Sequence, residues 1–313
     1  MEFYKVIPLI LRYILNISPE GKDYEDIEDT YIISAIAISA SLLTGCNMGT
    51  SEDTKPVVTN NRDLRVIFLD VGQGASQLII TPSGKTMLID AGNNDKEQTM
   101  INYLHSYGVS RLDVVIGSHP DADHIGGLDR VIKELPIGKI YMPKIMSSTK
   151  TFESVLDAVA SKNLKVKTAV TDIDIDLDNQ VKVQLLAPVK TYDDTNNMCA
   201  VVKITYKNTS FLLTADAESK SEQDMITSHG SDLKSDVMLV GHHGSKSSTT
   251  ARFLNAVKPK IAVIQVGENK YGHPTKPVLS RLNKQGIEVY RNDLNGTVEI
   301  DSDGSTLNVQ KER

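Results

Sequence analysis

From residue 63 onward, the spacing of apolar and polar positions predicts a succession of short strands and helices. Leu64–Leu69 alternates and is rich in β-branched and aromatic residues, which predicts a strand. Gln77–Thr81 and Thr86–Ile89 flank a Pro-Ser-Gly turn and predict a hairpin. Asp95–Tyr107 repeats its apolar positions at helical spacing and is followed by a glycine, which predicts a helix with a glycine after its last turn.

Hairpins and helices continue to alternate through both halves of the chain. This order predicts a layered α/β body in which mixed sheets carry helices on their outer faces. The further predicted strands are Leu112–Ile116, Lys139–Met142, Val166–Val170, Val181–Leu186, Ala200–Tyr206, Ser210–Thr214, Val237–Val240, Ile261–Val266, Val289–Arg291 and Thr297–Asp301. The further predicted helices are Ile125–Glu134, Thr151–Lys162, Glu218–Ser228, Thr249–Val257 and Pro277–Gln285.

The first 62 residues follow a different pattern. Tyr31–Leu43 is an uncharged apolar run with the length of a signal-peptide core, shorter than the roughly 20 residues that span a bilayer. Leu43-Thr44-Gly45-Cys46 resembles the lipobox of bacterial lipoproteins, which are cut before the cysteine and lipidated on it. The alternative is a buried helix with an unmodified cysteine, and the acidic residues 18–30 depart from the basic start of a signal peptide.

We therefore expect a leader at residues 1–45, a polar flexible tether at 46–62 and a single folded body at 63–313. A lipid on Cys46 would hold the protein on the extracellular face of the bacterial cell membrane, and a secreted protein is the alternative. No obligate protein partner is evident from the sequence.

Composition excludes several classes of protein. Of the net charge of −6, residues 1–30 carry −4, so the body carries −2. That excludes a strongly basic nucleic-acid binder but not a nucleic-acid substrate. Cys46 and Cys199 are too few for a disulfide framework or a four-cysteine zinc site. With no Trp and only five Phe, aromatic stacking is not expected to be central to function.

Five of the seven histidines fall in three short segments that contain glycine or proline. The first segment, residues 118–127, follows a predicted strand and places His119, Asp121, Asp123 and His124 within six residues. Such a turn projects side chains into a cavity beyond the carboxyl end of a strand. Imidazole and carboxylate together suit Zn, Mn or Fe ions. The alternative is a capping loop in which an aspartate caps the next helix.

The run His119–Gly127 resembles the HxHxDH motif of the metallo-β-lactamase superfamily, with Asp121 where the second His usually stands. Together with Leu69–Gly74, Leu88–Gly92, Leu213–Asp216 and Gly241–Ser245, it resembles the hydrolase domain of ComEC-type competence proteins over about residues 64–303. The resemblance implies a four-layered αββα fold, an α/β fold with two mixed β-sheets sandwiched between helices. Since the membrane channel of that family is absent here, we expect a stand-alone hydrolase domain.

The resemblance also implies two divalent metal ions, Zn²⁺ or Mn²⁺, and a ligand set. It assigns His119 and Asp121 to one ion, Asp123 and His124 to the other, Asp216 to both, and His242 as the last ligand, with His243 the less favoured candidate. Asp123 is also expected to act in catalysis. Considered alone, Asp216 could instead be a helix N-cap.

Further residues are expected to line the substrate cleft: Asn196, Asn197, His243, Ser245, Lys246 and His273. His273 lies in a Tyr-Gly-His-Pro turn that the resemblance places at the cleft rim, where it would protonate a leaving oxygen or hold a phosphate. Ser245 and Lys246 precede a predicted helix, whose backbone N–H groups suit an anion. For His273 the alternative is an ordinary loop histidine, and for Ser245 and Lys246 it is a plain N-cap cluster. For Cys199, close to Asn196 and Asn197 in the chain, the alternative is a small buried thiol.

The sequence thus predicts a metal-dependent hydrolase that uses a metal-activated hydroxide. The favoured reaction is phosphodiester hydrolysis by a nuclease acting on DNA, in a ComEC-like uptake or extracellular DNA-processing role. The first alternative keeps the metal site but changes the substrate to a small phosphoester, nucleotide or lactone. The second is a non-catalytic surface lipoprotein that retains the fold as a binding module.

Overall fold

A computed structural model describes residues 63–313; the expected leader, the tether and Cys46 lie outside the described residues. The strands are β1 (Leu64–Phe68), β2 (Gln77–Ile80), β3 (Thr86–Ile89), β4 (Leu112–Ile116), β5 (Ile137–Met142), β6 (Val166–Thr168), β7 (Ile173–Asp178), β8 (Val181–Ala187), β9 (Val201–Tyr206), β10 (Thr209–Leu213), β11 (Val237–Leu239), β12 (Ile261–Ile264), β13 (Glu288–Arg291), β14 (Val298–Ser302) and β15 (Leu307–Lys311). The helices are α1 (Glu97–Ser106), α2 (Ala122–Ile125), α3 (Leu128–Glu134), α4 (Lys150–Ser161), α5 (Ser219–His229), α6 (Ala251–Val257), α7 (Lys276–Lys284) and α8 (Asn292–Asn295).

The strands form two mixed sheets. The first has the order β15-β14-β1-β2-β3-β4-β5-β6, and the second has the order β13-β12-β11-β10-β9-β8-β7. Hairpin-connected strands pair antiparallel, as β1 does with β2 and β9 with β10. Strands joined through a helix pair parallel, as β4 does with β5 and β11 with β12. The predicted combination of hairpins and crossover helices is confirmed.

Three apolar clusters define four layers. The first cluster takes residues such as Val66 and Phe211 from the facing sides of both sheets. The second joins the outer side of the first sheet to α1, α3 and α4, and the third joins the outer side of the second sheet to α5, α6 and α7. Since side chains alternate along a strand, each sheet buries both of its faces. This is the αββα arrangement that the motifs implied.

The structure differs from the sequence-based prediction in two additional strands and in one predicted helix that is interrupted. Strand β7 reads Ile-Asp-Ile-Asp-Leu-Asp, and β15 follows the strand expected to end the chain. Aspartate is depleted in strands, so the local sequence of β7 is a poor predictor of its structure. The strand is held by antiparallel pairing with β8. The predicted helix Ile125–Glu134 is interrupted at Gly126 and Gly127, where the backbones of Asn93, Asn94 and Ala91 approach too closely for any side chain.

The segments that carry the predicted chemistry leave the carboxyl ends of strands in both sheets. Strands β3 and β4 lead into Asp90 and the segment 117–124, while β10, β11 and β12 lead into Asp216, Gly241–Gly244 and the segment 265–273. Side chains from both sheets therefore meet at one edge of the sandwich. Among residues 63–313, no helix has both the length and the apolar character that crossing a membrane requires.

Candidate metal centre and active site

Two groups of ligand-type side chains converge at this edge. His119, His124 and Asp216 form one group, and Asp123, His124 and His243 form the other; within each, one candidate ligand atom per residue lies within 4.8 Å of the others. Four of these residues are almost wholly removed from solvent, and only Asp123 remains partly exposed. The first sheet supplies residues 119–124, whereas the second supplies Asp216 and His243.

Asp216 lies between the two groups. One carboxylate oxygen, Oδ1, lies 3.0 Å from His124 Nε2 and 3.6 Å from His243 Nε2. The other, Oδ2, lies 3.5 Å from His242 Nε2. The central position expected for this residue is therefore present. No helix N-cap role is needed to explain it, since the cap position of α5 belongs to Glu218.

His243 and His242 occupy different places relative to the cluster. His243 Nε2 lies 3.2 Å from Asp123 Oδ2 and 3.3 Å from His124 Nε2, and its side chain is buried. His242 has a side chain 24% exposed, and its Nδ1 lies 3.1 Å from Glu218 Oε1. In the structure His243 lies in the buried group with Asp123 and His124, whereas His242 was the residue expected from the sequence as the last ligand. The ligand assignment itself stays a prediction.

Hydrogen bonds fix which nitrogen of each buried imidazole carries its proton. His243 Nδ1 lies 2.8 Å from the main-chain oxygen of Gln265, which can only accept, so Nδ1 holds the hydrogen. His124 Nδ1 likewise donates to Asp90 Oδ2 at 2.8 Å. Ser118 Oγ gives its own hydrogen to Asp90 at 2.6 Å and accepts from His119 Nδ1 at 3.0 Å.

In their neutral forms, all three imidazoles therefore present an unprotonated Nε2. The Nε2 atoms of His124 and His243 lie only 3.3 Å apart, and their lone pairs repel without a cation or proton between them. His119 Nε2 is buried and has no hydrogen-bond partner among the described residues; the nearest Asp121 oxygen is 3.7 Å away. Imidazole nitrogens and carboxylates arranged in this way fit divalent metal ions.

The electrostatics of the cluster also favour a bound cation. Burial raises the pKa of Asp216, but His124 and His243 lower it more, and the net pKa lies well below its usual range. Burial also raises the pKa of Asp123, but the hydrogen bond with His243 and the charges of His124 and His243 together outweigh burial and hold the pKa at about 2. Two ionised carboxylates in a nearly dry pocket require positive charge beside them.

The histidines respond to the same carboxylates. Burial lowers the pKa of His124, but Asp216 and Asp90 together raise it well above its usual value. Burial lowers the pKa of His243 as well, and Asp216 and Asp123 reverse that shift. Burial, followed by the neighbouring His124, lowers the pKa of His119. Where a proton does not supply the positive charge that the carboxylates need, a metal ion can.

The main chain is strained at this edge. His242 and His243 have φ values of 49° and 53°, and Asp90 and Ala215 have 59° and 45°. Residues with a side chain rarely adopt this left-handed region, at a cost of about 1–3 kcal/mol each. The turns after β3, β10 and β11 thus hold the cluster residues in unfavourable conformations, which the surrounding packing must maintain.

Glu218 is the centre of a second, more exposed group. Its Oε1 accepts from Ser247 Oγ at 2.9 Å and from His242 Nδ1 at 3.1 Å, and the amide of Asn196 approaches it at 3.4 Å. The His242 ring lies edge-on to the His273 ring, with 5.6 Å between centroids. The second group therefore borders the buried cluster and leads outward from it.

The residues expected in the cleft have mixed placements. Asn196 and His273 are half-buried beside His242, and Lys246 is exposed. Ser245 is buried and pairs with Ser247 through their hydroxyls at 2.9 Å. Asn197 uses its amide internally, donating to Asp194 and accepting from the Ser221 N–H, so it supports the loop in front of α5.

His273 and Cys199 show the effect of burial on groups near the cluster. Burial, and then His242, lowers the pKa of His273, whose buried Nδ1 has no hydrogen-bond partner among residues 63–313. Cys199 is completely buried, and burial followed by Asp216 raises the pKa of its thiol well above normal. Cys199 is thus a small buried thiol, as the alternative interpretation of the sequence expected.

Three residues that contact the site histidines, Asp90, Glu218 and Gln265, had no role predicted from the sequence. Asp90 holds the Ser118 N–H and hydroxyl as well as His124. Gln265 holds His243 through its main-chain oxygen and donates its amide hydrogens to Leu69 and Ser76. The sequence offered a clue for two of the three. Asp90 directly follows a strand, and Glu218 directly precedes the helix α5. For Gln265 there was none.

Curated relatives of this chain include competence proteins. It is 31% identical over 253 residues to ComE operon protein 3 of Bacillus subtilis, covering 75% of this chain and 32% of the relative. It is 32% identical over 250 residues to Competence protein ComA of Neisseria gonorrhoeae, covering 79% of this chain and 33% of the relative. The chain therefore spans about a third of the length of these relatives.

Solved structures and a family profile agree on the fold. CmlA, a diiron β-hydroxylase from Streptomyces venezuelae, superimposes with a TM-score of 0.51 at 12% identity, covering 78% of this chain and 54% of that chain. At that identity the likeness concerns the fold alone. The profile described as Metallo-beta-lactamase superfamily matches residues 69–268, more than half of the chain. With the competence relatives, this match shows that the chain belongs to the metallo-β-lactamase superfamily.

Proposed function

We propose that this protein is a metal-dependent phosphodiesterase that cleaves DNA. The observation that carries the proposal is the convergence of three imidazole Nε2 atoms and the Asp123 and Asp216 carboxylates in one nearly dry pocket. Two divalent ions, when bound there, supply an activated water and neutralise charge on a phosphate. The superfamily consists generally of metal-dependent hydrolases, and the names of the curated relatives point to competence and hence to DNA.

The geometry supports a ligand set that differs from the sequence-based set in one residue. His119, Asp121 and Asp216 would hold one ion; Asp123, His124, His243 and Asp216 would hold the other. His242 is then free to act on the substrate. The metal is Zn²⁺ or Mn²⁺, since the set mixes imidazole with several carboxylates.

His242, oriented by Glu218, would donate a proton to the leaving group. Glu218 accepts from His242 Nδ1, which fixes the orientation of the ring and leaves Nε2 on the side of Asp216. A proton at Nε2 is therefore placed to reach an oxygen that departs from the cluster. His273, next to His242, would contact the same phosphate group at the outer side.

A comparison of substrates tests the proposal. Single-stranded DNA and bis-p-nitrophenyl phosphate are offered to the full chain with Mn²⁺ or Zn²⁺, and to His119→Ala. We expect DNA cleavage that falls by more than about 100-fold in the variant. Turnover of the small diester without DNA cleavage would instead favour a small phosphoester or nucleotide. No turnover of either substrate, together with no bound metal, would favour a non-catalytic binding module.

We also propose that Cys46 carries the lipid anchor expected from its lipobox-like context. DNA outside the cell would then be the substrate, reached from the outer face of the membrane.

A further inference from the structure

The loop that carries His273 also presents an unusually exposed aromatic ring. Tyr271 is 75% exposed, the most exposed of the large apolar side chains within residues 63–313. Its ring stacks on the His273 ring, with centroids 5.7 Å apart and planes inclined by 30°. His273 in turn adjoins His242, which contacts Asp216. Two ring-to-ring steps therefore separate the exposed tyrosine from a histidine of the candidate active site.

The conformation of this loop is fixed by Asn269. Its side-chain amide donates to the main-chain oxygens of Gly267 and His273 at 2.9 and 2.8 Å. Its side-chain oxygen accepts from the N–H groups of Tyr271 and His273 at 3.1 and 3.0 Å. A single exposed apolar residue on a surface is ordinary, but a ring held on a pre-ordered loop beside the active site costs little entropy to use in binding.

Exposed lysines lie in the loop that carries the ring and in the segments that adjoin it. Lys270 precedes Tyr271 in the loop, Lys276 begins α7, and Lys246 lies in the loop that follows His243. All three are exposed, and none forms an ion pair within the described part of the chain. Lysines that track phosphates, combined with an aromatic ring on which a base stacks, are the pairing that single-strand binding sites use.

We infer that Tyr271 is a stacking platform for a nucleobase of a single-stranded substrate, next to the phosphate held in the active site. This inference rests on the proposed function and adds the feature of the substrate that the site recognises. A duplex hides its base faces in the stack, whereas a single strand leaves a base free to lie on the ring. The aromatic contribution that the composition argued against is then supplied by one tyrosine.

The test combines one substitution in the protein with one change in the substrate. Full-length wild type and Tyr271→Ala are compared on a short oligothymidylate and on a strand of the same length in which tetrahydrofuran replaces every base. Cleavage is measured as kcat/KM, and binding is compared through KM in the same assays, with the metal ions in place. We expect the variant to lose about tenfold in both measurements on oligothymidylate, and less than about twofold on the baseless strand.

Two control variants accompany the cycle. Tyr271→Phe keeps the ring and should retain wild-type values, whereas Leu294→Ala removes another exposed apolar side chain and should have no effect. Equal losses on both strands, or no loss on oligothymidylate, would overturn the stacking role while leaving the proposed nuclease intact. Failure of the wild type to cleave either strand would overturn the proposed function and this inference with it.

Discussion

At the scale of single residues, the site is organised by groups that fix the imidazoles. Asp90, Ser118 and the main-chain oxygen of Gln265 each engage an Nδ1, so the three Nε2 atoms of the buried histidines face the pocket. Partners of this kind orient ligands and raise their basicity, and their loss commonly costs about 10–100-fold in metal affinity.

Asp90→Asn tests this support. Asparagine tolerates the left-handed backbone of residue 90 but removes the charge that His124 Nδ1 and Ser118 contact. We expect metal affinity, measured by titration of the metal-free protein, to fall by about 10–100-fold. Asp176→Asn, at a side chain 95% exposed, is the control and should bind metal normally. Unchanged affinity in Asp90→Asn would contradict the role given to Asp90.

Glu218→Gln tests the pair with His242. Glutamine keeps the size of the side chain and removes the carboxylate that His242 Nδ1 contacts. We expect kcat on DNA to fall by about tenfold or more, with KM and bound metal little changed. Glu153→Gln on the exposed side of α4 should retain full activity. A loss of metal together with activity would instead show that Glu218 acts through the ligands.

At the scale of elements, the loop between β1 and β2 supports the loop that carries the metal ligands. The N–H of Ala75 donates to the main-chain oxygen of Asp123 at 3.0 Å, and the N–H of Gly92 donates to that of Ala75 at 2.9 Å. At Gly74, a Cβ would lie 2.5 Å from the Asp123 oxygen, so no side chain fits there. The close contact at Gly74 therefore depends on the absence of a side chain.

Gly74→Ala and Gly84→Ala form a matched pair. Both glycines have positive φ, but around Gly84 nothing lies within 4 Å of the added carbon. Gly84→Ala should therefore cost only backbone strain, about 1–2 kcal/mol. Gly74→Ala must also displace the Asp123 backbone, and we expect at least about 2 kcal/mol more destabilisation together with loss of activity. Denaturant unfolding measures both, and equal costs would contradict the close approach.

Elements with a clear period were predictable from the sequence. The hairpin β2–β3 and the helix α4 lie within a residue or two of their predicted bounds. Strand β7 was missed although its apolar residues alternate with aspartates, because aspartate is depleted in strands and the pairing with β8 is not visible locally. In the site, the ligand-rich turn at 118–124 was visible in the sequence, but the relative depth of His242 and His243 depends on tertiary packing against Gln265 and Glu218.

At the scale of the whole molecule, the site exists because the two sheets pack face to face. Each sheet contributes only part of the cluster, and the shared apolar core holds the two parts within contact distance. Periodicity predicted a layered α/β body and the family resemblance implied four layers, whereas the order of strands in each sheet was not predicted. The net charge of the body is −2, yet Lys246, Lys270 and Lys276 are all exposed in segments next to the active site.

The proposed anchor makes a prediction about the whole chain in its cell. Cys46→Ser should shift the protein from the membrane fraction to the soluble fraction or the medium, because no cysteine remains at the lipobox-like position. Cys199→Ser alters a completely buried thiol and should leave the protein with the membrane. Cell fractionation followed by immunoblotting reads both variants. Membrane retention of Cys46→Ser would contradict lipidation at that cysteine.

The central claim is that the buried His–Asp cluster holds two metal ions, and the metal content of the purified full chain tests it most directly. Elemental analysis by mass spectrometry, normalised to protein concentration, should give about two divalent ions per chain. Asp216→Asn should hold clearly fewer, since Asp216 lies between both groups. A wild-type protein that holds no metal after equilibration with Zn²⁺ or Mn²⁺ would contradict the account.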